Sequence, residues 1–234
     1  MLKKTLTILF LVVPLLATAQ KQKPKNDSSY DDRPLHFGFS LGLNTMDFKI
    51  KPSQFALNPD SLFPEVATLN PGVNIQVVIN YRPANFVDLR FLPGVSLGQR
   101  TINFYKNKTL VNGNQKLESS FLEFPLMLKF KGARMNNVRP YLISGLNFKY
   151  DLAGKKEYDD ATNIYLRLRR ADLYYDIGAG LDFYLPEFKL SIEAKMENGI
   201  RDVMVHSPAP GHPEYCNAIG SLRSQIWVLA FHFE

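Results

Sequence analysis

Residues 35–43 read Leu-His-Phe-Gly-Phe-Ser-Leu-Gly-Leu, and a large apolar side chain occupies every second position. The positions between them hold a histidine, a serine and two glycines. Because successive side chains of a β-strand point to opposite faces, this two-residue period predicts a strand with one apolar and one polar face. The same alternation returns in segments that begin near residues 73, 87, 122, 142, 173, 188 and 226. The chain therefore contains eight predicted strands.

The connections between these segments alternate in length. Long ones span residues 44–71, 99–118, 151–170 and 199–222, and short ones lie at 82–85, 132–137 and 185–187. Long connections at one rim and tight turns at the other are typical of up-and-down outer-membrane barrels. We therefore predict an all-β fold, an eight-stranded antiparallel up-and-down transmembrane β-barrel over residues 35–234. Its short turns would be periplasmic and its long loops extracellular.

The start of the chain has the three parts of an export signal. Lys3 and Lys4 precede an apolar run over residues 6–16, and small residues follow at Ala17-Thr18-Ala19. The apolar run is shorter than the about 20 residues that a membrane-spanning helix needs. We predict a signal peptide over residues 1–19 and a flexible, polar periplasmic lead-in over residues 20–34.

Composition excludes several classes of protein. The formal net charge is only +6, which gives no reason to expect binding to nucleic acid. The single cysteine, Cys216, excludes a disulfide framework within the chain. After the predicted signal, no segment approaches 18 consecutive apolar residues, which excludes a helical membrane protein.

The alternation alone fits either a membrane barrel or a soluble, lipocalin-like barrel that buries its apolar face. The apolar faces hold more large side chains than the narrow interior of an eight-stranded barrel can accommodate. They also carry no charge within the predicted strands, and a lysine or arginine at the bilayer midplane costs about 2–4 kcal/mol. The polar faces contain many glycines, which suit a crowded interior. These features favour the membrane barrel.

The polar faces would then line the lumen. Both signs of charge occur there, so ion pairs can fill the narrow interior. We predict a structural network of lumenal side chains: Asp88, Arg90, Glu123, Lys129, Arg139, Asp172, Asp176, Asp182, Glu193, Lys195 and Glu197.

The first long connection is more apolar than a free extracellular loop should be. We predict that it either contacts another protein or folds over the barrel mouth. The side chains expected to make this contact are Phe48, Phe55, Leu57, Leu62 and Phe63.

Candidate chemistry concentrates in the fourth long connection. A metal site could be drawn from His206, His212 and Cys216, or a hydrolase from Ser207 with a histidine and Asp202, but neither set has a recognised spacing. The prolines of this segment indicate an ordinary turn-rich loop.

Two other sets of charged side chains have simpler interpretations. Asp172, Asp176 and Asp182 lie too far apart along one strand to share a cation. The basic run of Arg167, Arg169 and Arg170 is interpreted as a solvated rim, with contact to lipid phosphates or a partner as the alternative. We therefore expect no catalytic residue, metal, cofactor or small-molecule substrate, and no enzymatic activity.

Two stretches resemble the PorT family of Bacteroidetes outer-membrane proteins. They are His36–Phe48, with its Leu-Asn-Thr-Met-Asp-Phe ending, and Arg139–Tyr150. The resemblance covers most of the chain beyond the signal and implies an outer-membrane component of the type IX protein secretion system. It also implies export of protein cargo, gliding motility in gliding species, and contact with outer-membrane lipid and other secretion-system proteins. The alternative is a generic structural or adhesive barrel with no part in secretion.

Overall fold

The computed structural model describes residues 25–26, 30–58, 61–66, 70–107, 109–111, 115–154 and 165–234. These residues form eleven β-strands, one short helix, and 3-10 turns at Tyr30–Asp32 and Phe55–Leu57. The elements are β1 (Leu35–Pro52), β2 (Phe63–Val66), β3 (Pro71–Ala84), β4 (Val87–Phe91), β5 (Gly94–Lys106), β6 (Thr109–Leu110), β7 (Gln115–Lys131), β8 (Val138–Asp151), β9 (Ala171–Tyr184), β10 (Lys189–Gly199), α1 (Pro213–Asn217) and β11 (Ile219–Phe233). None of the described helices is long and apolar enough to cross a membrane. The predicted signal peptide, residues 1–19, lies outside the described residues.

The strands form one antiparallel sheet that closes on itself. From β1 the pairing runs through β11, β10, β9, β8 and β7 to β4 and β5, and then to β3. β3 pairs with β1 from Leu35 to Thr45, while the other edge of β1 pairs with β11. Closure removes the free strand edges that would otherwise invite aggregation.

The eleven strands correspond to the eight predicted ones plus three additional pieces. β4 and β5 follow one line, because Phe91 and Gly94 keep the same register with their neighbours on both β3 and β7. Pro93 lies in the gap between them and has no N–H to donate to a ladder. β2 and β6 are short strands within the first and second long connections, where both pair with β5.

The two faces of the closed sheet differ sharply in chemistry. The apolar side chains of the predicted strands point outward and are exposed, with Phe37 at 63% and Leu142 at 62%. The alternate positions point inward and are buried although most of them are polar or charged. This arrangement is the reverse of a soluble barrel and matches a sheet surrounded by hydrocarbon.

Several strands extend further than the sequence analysis predicted. In these additional parts the apolar side chains face inward and the polar ones outward, the reverse of the rest of the sheet. On β1 the outward apolar residues end at Leu43; beyond it Met46 and Phe48 are buried inside, and Lys49 is exposed. β5 and β11 show the same inversion, since Ile102, Phe104, Ile219 and Leu222 are buried inside.

The predicted loop boundaries at residues 44–71, 99–118 and 199–222 were therefore too wide. β1 runs to Pro52, β5 to Lys106, and β11 begins at Ile219. The predicted strands have a single apolar face along their whole length, and the inversion breaks that pattern. We call the part of the sheet beyond Leu43 on β1, together with the adjacent ends of β5, β7 and β11, the extension.

Candidate functional site

The interior of the closed sheet is filled by charged side chains. All eleven residues predicted for the lumen are buried, and Arg90, Lys129 and Glu193 have no exposed surface. The structure buries further polar side chains that the prediction omitted, among them Lys131, Lys189 and the side chain of Glu234. Lys131 and Lys189 occupy inward-facing positions of β7 and β10, and Glu234 directly follows β11, so the alternation of side chains along these strands could have identified them.

The middle of the interior contains a cluster of acids that share cations. Lys149 Nζ lies 2.6 Å from Glu123 Oε2 and 2.6 Å from Glu197 Oε2. Lys195 Nζ lies 3.0 Å from the other oxygen of Glu197. The Gln76 amide donates to Glu123 Oε1 at 2.6 Å. Charges removed from water are tolerated only when paired and hydrogen-bonded in this way.

A second cluster lies toward the short turns. Lys129 donates to both carboxylate oxygens of Asp182, and Ser191 Oγ also donates to Asp182 at 2.6 Å. Arg90 Nη2 lies 2.7 Å from Glu234 Oε1. The Lys131 ammonium pairs with Asp88. Arg90 lies on β4 and Glu234 follows β11, so their contact crosses the interior, whereas Lys131 and Asp88 lie on paired strands.

The segment before β1 closes the short-turn end of the interior. The Tyr30 ring stacks on His36 with centroids 3.9 Å apart, and its hydroxyl donates to Glu234 Oε2 at 2.9 Å. Asp31 Oδ1 lies 2.9 Å from Arg139 and 3.0 Å from Arg82. Within the lead-in predicted for residues 20–34, the side chains of Tyr30 and Asp31 have these partners in the structure, whereas Asp32 is exposed. We call these three residues the strap.

The strap carries a perturbed acid. Partial burial opposes ionisation of Asp31, but the guanidinium groups of Arg139 and Arg82 outweigh it and hold the pKa of this carboxyl below its usual value. The ionised carboxylate therefore favours the docked strap.

An apolar cluster fills the long-connection end, within the extension. Its buried members come from β1, β5, β7, β11 and the connections, and we call them the cap: Phe48, Ala56, Leu62, Ile102, Phe104, Leu117, Tyr165, Leu166, Val203, Met204, Ala209, Tyr215, Cys216, Ala218, Ile219 and Leu222. The Phe104 and Tyr215 rings meet edge to face at 4.9 Å. Burial raises the pKa of the Cys216 thiol.

Residues predicted for partner contact in the first connection divide into two groups. Phe48 and Leu62 are buried in the cap. Phe55, Leu57 and Phe63 stay exposed, Leu57 at 74%. Part of the connection thus packs in the cap and part remains exposed, and contact with another protein stays a prediction.

The candidate catalytic and metal-binding groups have structural partners. Asp202 Oδ1 accepts the backbone N–H groups of Met204 and Leu222, both at 3.0 Å, and its Oδ2 lies 2.9 Å from His206 Nε2. Although partial burial opposes ionisation, these hydrogen bonds lower the pKa of Asp202. His212 lies 3.3 Å from Glu214 and its ring packs on Tyr165 at 4.2 Å. Within the described part of the chain, no cluster of three such residues could hold a metal ion.

The remaining candidates are also dispersed. Asp182 belongs to the Lys129 cluster, whereas Asp172 Oδ1 accepts its neighbour's N–H from Leu173 at 2.8 Å. Arg170 donates twice to the carbonyl oxygen of Gly154, at 3.2 and 3.0 Å. His36 and His232 are buried among lumenal side chains.

Comparisons with solved structures concern the fold. The outer membrane protein OprG from Pseudomonas aeruginosa is similar with a TM-score of 0.50 and 12% identity, over 92% of this chain and 96% of that chain. The N-terminal beta-barrel domain of Pseudomonas aeruginosa OprF has a TM-score of 0.34 and 14% identity, over 85% of this chain and 100% of that chain. The outer membrane protein AlkL has a TM-score of 0.38 and 12% identity, over 92% of this chain and 94% of that chain.

By sequence, no curated protein matches the chain. A family model described as outer membrane protein beta-barrel domain matches residues 18–205. The predicted outer-membrane location is confirmed by these matches, whereas membership of the PorT family stays a prediction. With an antiparallel sheet closed on itself, an apolar outer face and a family match over most of its length, the chain belongs to the outer membrane protein beta-barrel domain family and resides in the outer membrane.

Proposed function

We propose that this protein is an eight-stranded transmembrane barrel without enzymatic activity that serves as a component or accessory factor of the type IX protein secretion system. In this proposal β4 and β5 count as one strand, and β2 and β6 belong to the loops. The strap and the short turns face the periplasm, and the extension faces the cell exterior. Residues 1–19 are the export signal, and the residues from 35 onward form the barrel.

In this proposal the outward apolar side chains of the strands form a lipid-facing band around the sheet. The observation that supports a partner-binding role is the exposed apolar surface outside this band. Leu57 and Phe63 line a cavity of about 520 Å³ beside the extension, together with Glu65, Tyr105 and Asn107. Exposed apolar surface that is neither in hydrocarbon nor in a core is typical of a site for another protein. Phe55 is 42% exposed and directly precedes Ala56, which also lines this cavity.

The absence of enzymatic activity is supported by how the candidate groups are used. Asp202 organises the fourth connection through three hydrogen bonds, and Cys216 is packed in the cap. The lumenal acids Glu123, Asp182 and Glu197 are paired with lumenal cations rather than arranged around a substrate cavity. A lumen filled in this way also supports a protein that contacts partners by its outer surface rather than one that conducts.

The secretion role rests on the resemblance of His36–Phe48 and Arg139–Tyr150 to the PorT family. It is tested by comparing the proteins in the medium and the periplasm between wild type and a deletion strain. Loss of many unrelated cargos from the medium, with their accumulation in the periplasm, is expected. Complementation with Leu57→Asp/Phe63→Asp should fail, whereas complementation with Leu110→Asp, an exposed leucine of the second connection, should succeed.

A generic structural or adhesive barrel is the second candidate. It is supported by the ion pairs between strands that are not neighbours in the sheet, which rigidify the barrel without implying any particular partner. An unchanged set of secreted proteins in the deletion strain would favour this candidate and remove the secretion role.

A further inference from the structure

Three cations lie close together on the outward face of the extension. Lys49 on β1 and Arg223 on β11 are direct cross-strand partners, and Lys51 is the next outward residue of β1. All three side chains are exposed. Like charges placed directly opposite each other destabilise an antiparallel pair unless something neutralises them.

The surrounding protein supplies little neutralisation. Within the described residues, the Lys49 ammonium donates to the Asn198 amide oxygen at 3.0 Å, and none of the three cations forms an ion pair with a carboxylate. Asp47 is the preceding outward residue of β1, and its Oδ1 accepts the backbone N–H of Phe48 at 2.6 Å. The patch therefore has an excess of positive charge.

The patch lies just above the lipid-facing band. Trp227, which pairs with Thr45, is 53% exposed. Arg223 lies four residues from Trp227 along β11, which places it two outward-facing positions further from the band. With about 3.3 Å per residue and a strand tilt of about 40°, this spacing corresponds to a height of about 10 Å. Tryptophans of outer-membrane barrels mark the interface, and the headgroup region extends about 5–8 Å beyond the hydrocarbon. Flexible lysine and arginine side chains cover the remaining distance.

We propose that Lys49, Lys51 and Arg223 form a binding site for the phosphate group of a lipid headgroup in the outer leaflet. A guanidinium can bind phosphate oxygens in a bidentate manner, and the two ammonium groups add positive charge beside it. Bound phosphate relieves the repulsion between Lys49 and Arg223. The proposal rests on the orientation given above, in which the extension faces the exterior.

The chain contains one tryptophan, so Trp227 is an intrinsic fluorescent probe beside the site. Purified protein in a non-ionic detergent is titrated with bisphosphorylated lipid A and with the dephosphorylated lipid, and Trp227 emission is followed. We expect the phosphorylated lipid to bind more tightly. Lys49→Gln/Arg223→Gln should weaken its binding by about tenfold or more, because the two substitutions remove charge-assisted hydrogen bonds to the phosphate.

Lys116→Gln is the matched control, because this exposed lysine points outward from the extension on β7. It should bind lipid as the wild type does, and a melting curve should show that both variants are folded. Equal binding of the two lipids, or unchanged binding by the double variant, would overturn the site. Competition by inorganic phosphate at the same concentration as the lipid would also overturn it as a lipid site. Because the titration uses isolated protein, its result is independent of any secretion phenotype.

Discussion

Lys129 Nζ lies 2.7 Å from one carboxylate oxygen of Asp182 and 2.8 Å from the other, and both side chains are buried in the interior of the barrel. The lysine is on β7 and the aspartate on β9, so the contact spans β8. It is the clearest example of how the lumen is filled, and its removal tests the whole network.

Lys129→Met should lower the free energy of unfolding by about 3–5 kcal/mol, because it leaves Asp182 buried without its cation. Lys129→Met/Asp182→Leu should recover most of that loss, because a buried ion pair often has no advantage over apolar residues of similar volume. Urea unfolding in lipid vesicles, followed by Trp227 fluorescence, measures both. A single variant as stable as the wild type would show that the pair contributes nothing.

Leu146→Arg should lower the free energy of unfolding in vesicles by about 2–4 kcal/mol, because Leu146 faces outward in the middle of β8 and a cation there enters hydrocarbon. Leu57→Arg is the control, since Leu57 is exposed outside the band and its replacement should change stability by less than about 0.5 kcal/mol. If both variants were equally tolerated, the outer face of β8 would be in water.

The strap should undock in acid. Because the folded pKa of Asp31 lies below its ordinary value of 3.8, the ionised carboxylate stabilises docking fully above that value, and this stabilisation is lost as the pH falls through the folded pKa. The Arg82 amide donates to Pro34 O at 2.7 Å, so its hydrogen-exchange protection reports docking.

Asp31→Asn should remove this dependence on pH and reduce protection at neutral pH as well. Asp32→Asn changes the same charge at an exposed position and should leave the profile as in the wild type. Protection of Arg82 that stayed constant down to pH 2 would contradict the role given to Asp31.

Cys216 should react slowly with a maleimide in the folded protein, because burial in the cap raises its pKa and limits access. Leu62→Ala should accelerate the reaction, since Leu62 is 6% exposed and its truncation leaves a void in the cap. Leu110→Ala, at an exposed leucine, is the control. A wild-type rate equal to that of the urea-unfolded protein would show that the cap does not cover this thiol.

The side chains that share one face of each strand could be predicted from the sequence, because this depends on a local period of two residues. Phe37 and Phe39 share one face of β1, and His36 and Ser40 share the other, wherever the strand is placed. The number of large apolar side chains then assigned the polar face to the lumen, because they exceed what the interior of an eight-stranded barrel can hold. The inversion beyond Leu43 was missed because, from that level on, the apolar side chains face inward and the polar ones outward. The two-residue period continues through this point, so it does not mark the level of the membrane.

The partners of the buried charges were beyond sequence analysis. Arg90 meets Glu234, 144 residues further along the chain, only because β4 and β11 are brought to one interior by closure. Arg100 was assigned to a loop, yet it is buried, donates to Ser224 Oγ at 3.0 Å and lies between the Phe48 and Phe121 rings. Side-chain parity says that a charge faces inward, but not which opposite charge it meets.

The sequence by itself determined that the chain forms alternating strands with a charge-free apolar face and a polar, glycine-containing face, because side-chain direction in a strand is a local property. The tertiary structure alone decided the closure, the ion pairs across the lumen, the docking of Tyr30 and Asp31, and the apolar cap. These depend on strand register and on contacts between residues distant in the chain, whose energies arise only when the ring is complete.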